Sequence, residues 1–388
     1  MPGVEEPVAL AGTVRARTAE QTWAAVAGHL PDFGITRVAD LTGLDVIGLP
    51  VWTAIRPASK TLSTSQGKGA TPLLAKLSAV MEAIELWHAE QVLPTVAVGP
   101  AAEVAPHCPV TALPLTGSFP AAAVARVVCE WTAGTTLVSG EKTLLPLDLV
   151  RRRGQRPAWT PNVWRATSTG LACGNTREEA LLHALFEVAE RDVLFRDGQA
   201  HGRLRTLIDP GTVDDPHGRE VIDRIRAAGM ALEMSLVDGP YGLPVALAYL
   251  WSEDYPAVFA GGGCHSVPGI ALTRALTEAA QSRLAAIAGT RDDLPTAPPA
   301  FDTLSFPPPQ PASQLAPWPD AADRCRPPGG GFADQVRAVA RCFESVTGHQ
   351  PVALDLSGPH CPVHAVQVLC PGTRSRGPAK VTPKGAMG

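Results

Sequence analysis

No run of about 18 apolar residues occurs in the 388-residue chain, so no transmembrane helix is expected. The first ten residues, MPGVEEPVAL, lack a basic segment followed by a long apolar one. They do not read as a secretory signal, and a cytoplasmic location is the default expectation. Positive charge is not in excess. The formal net charge is −4, which argues against nucleic-acid binding as the main function. The short clusters Arg151–Arg153 and Arg374–Arg376 read as solvated surface. None of the eight cysteines stands in a C-x-x-C pair, and the ten histidines form no H-E-x-x-H. Zinc knuckles are therefore not expected, and the cysteines read as reduced core residues. A Walker A loop, a dinucleotide fingerprint and a tandem repeat are also missing.

Hydrophobic residues make up 45 % and charged residues 18 % of the chain, a globular composition with enough apolar surface for a sizeable core. The 36 glycines and 38 prolines exceed average usage and disfavour a helix bundle. They point to mixed α and β structure with many loops. The pattern predicts a helix over 20–30, a strand-like stretch over 35–49 broken at Gly43 and Gly48, and a turn-rich segment over 56–69. A helix follows over 72–90, then strands and loops over 92–165. A second helix is expected over 176–197, with Asn175 as N-cap and Glu178 completing a capping box. Short elements fill 204–262, with 221–228 helical and 245–251 a strand. A third helix covers 268–288, and a Pro-rich connection spans 294–331. Residues 333–346 read as helical, and 351–356 and 363–370 as closing strands.

The three strong helices share one polar spacing. The first carries Ser78, Glu82 and Glu85, the second His183, Glu187 and Glu190, the third Arg274, Glu278 and Gln281. Positions i, i+4 and i+7 project within roughly 60° of arc on one helix face. Around the second stripe stand Leu181, Leu182, Leu185, Phe186, Val188, Ala189 and Val193. A helix apolar nearly all round is buried, so its acidic stripe is buried or lines a cavity. Carboxylates that close in a dry site need cations, and magnesium, arriving with nucleotide phosphates, is the natural hard cation for oxygen ligands. A glycine-lysine turn, Ser65-Gln66-Gly67-Lys68-Gly69, precedes the first helix. Its glycines would let backbone approach a ligand, and Lys68 offers a point charge to phosphate.

At these residues the sequence resembles the YcaO family. The matching stretches are SQGKGATPLLAKLSAVMEAIELWHAE (65–90), STGLACGNTREEALLHALFEVAERD (168–192) and ALTRALTEAAQSRLAAIAGTRDD (271–293). The resemblance covers roughly 35–372. It implies the mixed α/β YcaO fold, with long helices lining a site for ATP and Mg2+. By the same resemblance Lys68, Ser78, Glu82, Glu85, His183, Glu187, Glu190, Glu278 and Gln281 bind the nucleotide, and Glu82, Glu85, Glu187 and Glu190 hold the metal. No catalytic residue is singled out. The implied organisation is an N-terminal helical extension (1–34), a catalytic domain (35–372) containing the Pro-rich loop, and a mobile tail (373–388).

The chemistry implied is addition of a nucleophile to a peptide carbonyl, phosphorylation of the resulting oxygen from ATP, and loss of phosphate. An internal Cys, Ser or Thr gives an azoline, and external sulfide a thioamide. The end, TPKGAMG, lacks the Pro-x-Pro-x-Pro tail of azoline-forming members, and only about 30 residues precede the family region, with no leader-binding domain among them. A separate TfuA-like or leader-binding partner is therefore expected beside the precursor-peptide substrate. The block GITRVADLTGLDVIGLPVWTAIRP looks most like YcaO proteins that work beside TfuA in thioamide formation, with azoline formation as the alternative. His183 in place of the commoner Gln, and Leu86 where Arg is usual, keep a non-catalytic scaffold open. A di-metal oxidase built on Glu85-x-x-His88 would need a second such motif, which the other two strong helices lack. Cys173 and Cys264 read as small buried residues in loops before helices two and three, not as sulfur carriers. Oligomeric state, a homodimer among the options, is not written in the pattern.

Overall fold

The computed structural model describes residues 7–151, 158–159, 161–289 and 314–375. The chain opens with a small hairpin, β1 (Val8–Leu10) and β2 (Thr13–Arg15), and a short helix, α1 (Ala19–Val26). Strands β3 (Arg37–Asp40), β4 (Val51–Ile55) and β5 (Thr64–Lys68) form an antiparallel sheet that carries α2 (Pro72–Ala89). Thr71 caps α2 by accepting from the Leu74 amide, and Pro72 suits the first turn. One expectation holds here and one changes. The stretch 35–49 breaks where expected, at Gly43 inside a 3-10 turn over Thr42–Leu44 and at Gly48, which has a φ of 67°. The glycine-lysine segment is not a turn; it is β5 itself.

The middle of the chain holds β6 (Ala97–Pro100), α3 (Ala101–Val104), α4 (Ala121–Ala125), β7 (Val128–Thr136) and β8 (Lys142–Pro146). Arg151 departs from the solvated reading. It is largely buried, with Nη2 2.6 Å from Glu130 and Nη1 3.5 Å from Asp148. Next come β9 (Leu171–Gly174) and the longest helix, α5 (Arg177–Gln199). The N-cap of α5 is Thr176 and not Asn175, because its hydroxyl accepts from the Glu179 amide. Strand β10 (Arg205–Leu207), α6 (Pro216–Ala227), β11 (Ala231–Val237), β12 (Val245–Trp251) and β13 (Phe259–Cys264) lead into α7 (Pro268–Ala288). The Pro-rich connection is described only from 314 onward, where it contains α8 (Trp318–Ala322); 290–313 lie outside the described residues. Helix α9 (Phe332–Thr347) and strands β14 (Val352–Asp355) and β15 (His364–Leu369) close the fold. The Arg374 amide donates to Asp192 at 2.8 Å, and 376–388 lie outside the described residues.

Two larger sheets frame the core. One runs β6-β7-β14-β15-β9 with β8 on β7, and the other β10-β11-β12-β13. Helix α5 lies between them. Its Leu181, Leu185, Phe186 and Val193 share one cluster with Val245 and Leu247 of β12, Phe343 of α9 and Val366 of β15. Each such side chain, fully buried, contributes about 1.5–3 kcal/mol from its apolar area. Glycines set how closely helices approach strands. A methyl at Gly261 of β13 would lie 2.1 Å from the Ala275 carbonyl oxygen of α7, and one at Gly67 of β5 1.9 Å from the Ala79 amide of α2. Gly67 therefore serves helix packing and not the approach of a ligand.

Candidate active site

The three polar stripes meet. Along α2, α5 and α7 the stripe residues are half-buried positions interrupting otherwise buried runs. All nine of them, with Lys68 from β5, line a single cavity of about 570 Å³. That volume suits a nucleotide-sized ligand. The helices face it because their remaining circumference is consumed by packing on β5, β9, β13 and β15.

The cavity wall carries charges of both signs. The Glu187 carboxylate is held on both oxygens, by Arg191 Nη2 at 2.6 Å and by the Gly170 amide at 2.8 Å. Burial still raises its pKa, with Arg191 and the amide opposing. Glu190 is raised to about 7, first by burial and then by the charge of Glu278. Gly262 leaves room for it: a methyl there would stand 2.9 Å from a Glu190 oxygen. Burial would also raise Glu278, yet its 2.9 Å pair with Lys68 Nζ outweighs that and holds it below the usual range. Gln281 donates to the Gln66 carbonyl at 2.8 Å, tying α7 to β5. Burial, then the charges of Arg274 and Arg15, drives His183 well below its usual value. The ring is a neutral hydrogen-bonding group.

The cavity also contains residues that the sequence pattern does not reveal. Arg15 and Arg17 enter from the N-terminal hairpin. Arg15 lies 3.6 Å from Glu179, whose Oε2 accepts from the Ala16 amide at 3.0 Å and from the Asn175 side chain at 3.1 Å. Asn175 in turn accepts from Thr22 at 2.9 Å. The anchor of the hairpin thus spans some 160 positions of sequence, beyond any local signal. Arg191 was one residue from a predicted stripe position. Cys173 and Cys264 are not in loops; they lie on β9 and β13, line the cavity, and are pushed well above the usual thiol range by burial. His88 is outside the cavity lining and faces Cys361, which removes it from any metal motif with Glu85.

Among the described residues, no three His, Cys, Asp or Glu side chains are grouped so as to hold a metal alone. The acidic stripes fit cations that complete their shells with phosphate oxygens and water, as Mg2+ does. No helix among the described residues is long and apolar enough to cross a membrane.

Comparison with known proteins agrees with the geometry. Residues 66–374 match the family model described as YcaO cyclodehydratase, ATP- and Mg2+-binding. An uncharacterised Mycobacterium tuberculosis protein is 38 % identical over 299 residues, covering 76 % of this chain and 68 % of that one. An uncharacterised protein encoded in the tfuA 3′ region of Rhizobium leguminosarum bv. trifolii is 39 % identical over 293 residues, covering 72 % and 69 %. Among solved structures, YcaO from Methanopyrus kandleri bound with AMPPCP and Mg2+ superposes with a TM-score of 0.74 at 21 % identity, over 98 % of this chain and 99 % of that one. A heterocyclase in complex with substrate and cofactor gives 0.75 at 20 % identity, over 96 % and 55 %. The match across four-fifths of its length, together with three polar stripes converging on one cavity, places this chain in the YcaO family of ATP- and Mg2+-binding, peptide-modifying enzymes.

Proposed function

We propose that the chain activates a backbone amide of a precursor peptide for replacement of oxygen by sulfur, giving a thioamide, beside a TfuA-type partner in the cytoplasm. The observation that carries the ATP-dependent part is the meeting of all nine stripe residues and Lys68 in one cavity. The sulfur preference is supported by the 39 % identical relative encoded beside tfuA and by the opening block of the domain. In this reading 35–372 form the catalytic domain, and the hairpin before it walls the site.

Glu82, Glu85, Glu187 and Glu190 would hold Mg2+, and Lys68, Ser78, His183, Glu278 and Gln281 would contact the nucleotide. When bound, MgATP supplies the phosphoryl group that turns the amide oxygen into a leaving group. The chain's own part is to position and balance charge. Arg191 and the Gly170 amide fix the Glu187 carboxylate, so its remaining lone pairs point in a set direction. Glu278 holds the Lys68 ammonium at the cavity wall, poised as a compact charge for an anionic ligand. His183, kept neutral by burial, adds no repulsion toward Arg274. Leu86, with Leu62 and Leu171, makes one side of the cavity apolar and excludes water.

The test is phosphate release by the purified chain with Mg2+, ATP, sulfide, a candidate precursor peptide and a TfuA-type partner. Peptide-dependent turnover with oxygen exchanged for sulfur supports the reading. Loss of water from the peptide instead makes the chain an azoline-forming cyclodehydratase. Nucleotide binding with no turnover under any combination leaves the scaffold reading in its place.

A further inference from the structure

The apolar side of the cavity is held in place by a carboxylate outside its lining. Leu86 and Ala89 of α2 and Leu171 of β9 form one small cluster, and Leu62 packs against it. Leu62, Leu86 and Leu171 line the cavity. Leu62 stands on the segment between β4 and β5 and is half-buried. Next to that segment Glu90, the C-cap residue of α2, is 2 % exposed. Its carboxylate accepts from Arg56 Nη2 at 2.7 Å, the Ser59 hydroxyl at 2.8 Å and the Thr61 amide at 3.1 Å. Lys60 Nζ donates to the Glu90 backbone carbonyl at 3.2 Å. Hydrogen bonds to a charged acceptor are the strong ones. The segment is thus gathered on one glutamate, and Leu62, directly after Thr61, is presented as a fixed wall.

Position ties this corner to the reacting end. Leu86 directly follows Glu85, and Leu171 directly follows Gly170, whose amide donates to Glu187 at 2.8 Å. The leucines therefore border two of the carboxylates assigned above to the metal. The cavity opens to solvent here. Ser168, another lining residue, is exposed, and its carbonyl accepts from the Leu171 amide at 2.9 Å. A peptide amide brought to Glu85 and Glu187 through this opening carries a side chain on the Cα bonded to its carbonyl carbon, about 1.5 Å away. That side chain meets the leucines. Arg191 is engaged by Glu187 at 2.6 Å and by Thr169 at 3.1 Å. With the carboxylates given to the metal, a charged side chain here would lose water and gain no partner. The hairpin end of the cavity, with Arg15, Arg17 and His217, has the opposite character and suits an anion.

We propose that this leucine corner selects the peptide: it takes an apolar side chain, of the Leu, Ile, Met or Phe class, on the residue whose carbonyl is activated. Leu62 is the specificity-determining residue, and Glu90 positions it. The proposal rests on the peptide-activating function given above and names the substrate class for that same site. A leucine-sized side chain seated on the corner is favoured over glycine about tenfold or more, from the apolar area that both surfaces remove from water. Asp or Lys at the same place is disfavoured further, because its charge is desolvated without a partner.

The test is selection of a randomised octapeptide library on the immobilised full chain, with Mg2+ and a non-hydrolysable ATP analogue present. Sequencing of the bound fraction reads the preference at each position. The wild type is expected to enrich Leu, Ile, Met and Phe about tenfold or more at one position. Leu62→Ala is expected to reduce that enrichment severalfold, and Leu62→Glu to replace it with Lys and Arg. No apolar enrichment at any position, or the same enrichment in both variants, overturns the proposal. Calorimetric titration of the ATP analogue into the same three proteins is the second readout. Unchanged nucleotide affinity is expected in both variants, which also shows that they are folded. Weakened nucleotide binding with an unchanged peptide profile assigns the corner to the nucleotide base and overturns the proposal. A wild-type chain that binds no nucleotide fails the function reading instead, while the peptide profile still judges the corner.

Discussion

Gly67→Ala tests whether the packing of β5 on α2 builds the site. A methyl on Gly67 would stand 1.9 Å from the Ala79 amide nitrogen and 2.4 Å from the Ala75 carbonyl oxygen. Both are helix backbone atoms, so no rotamer change relieves the clash. Ordinary van der Waals contact is about 3.5–4.0 Å, which requires strand and helix to separate by about 1.5–2 Å. Overpacking of this kind costs about 1–3 kcal/mol, and a clash on backbone belongs at the upper end. The separation also displaces Lys68 on one side and Ser78 and Glu82 on the other. A misplacement of about 1 Å in a preorganised site can lower activity about a hundredfold. Urea unfolding and peptide-dependent ATP turnover, measured together, read both effects. Gly28→Ala is the control, because a methyl there meets nothing within 4 Å; it is expected to be neutral or stabilising by about 0.4–1 kcal/mol. A Gly67→Ala protein with the wild-type urea midpoint and wild-type turnover would refute the reasoning.

Two further outcomes follow from the site. Glu179→Ala removes the acceptor of the Ala16 amide and the partner of Arg15, so the N-terminal hairpin is expected to loosen at a cost of about 1–3 kcal/mol; limited trypsin digestion should show faster cleavage after Arg15 and Arg17. Glu190 has a folded-state pKa of about 7, above its ordinary value of 4.5, because burial and Glu278 disfavour its charge. The folded metal-free protein then binds more protons than the unfolded chain between those values, so stability from this group is full at low pH and is lost as pH rises through 7. Melting temperature without Mg2+ should fall over that window, and the fall should shrink in Glu190→Gln.

The long helices were legible because packing and pattern agree over many turns. The expected spans 72–90, 176–197 and 268–288 compare with observed helices at Pro72–Ala89, Arg177–Gln199 and Pro268–Ala288. The convergence of their stripes was legible for the same reason: a polar face on an otherwise apolar helix must meet a cavity or another polar face. What the sequence hid depends on distance or on small residues. Gly67 and Gly69 look like turn residues, yet they lie in and just beyond a strand that must touch a helix backbone. Asn175 looks like a cap, yet its side chain joins Thr22 to Glu179 while Thr176 caps the helix. Strands β1 and β2 have three residues each, too few for alternation to register, so Arg15 and Arg17 carried no signal toward the site.

The most direct measurement is calorimetric titration of a non-hydrolysable ATP analogue, with and without Mg2+, into the wild type and into Glu187→Gln, Glu190→Gln. Losing even a group that orients a metal ligand typically costs about 10–100-fold in metal affinity, so replacing two proposed ligands should weaken Mg2+-dependent binding at least about a hundredfold. One Mg2+-dependent site is expected in the wild type, and that loss in a variant that remains cooperatively folded. Equal affinity in both proteins, or binding indifferent to Mg2+, would contradict it.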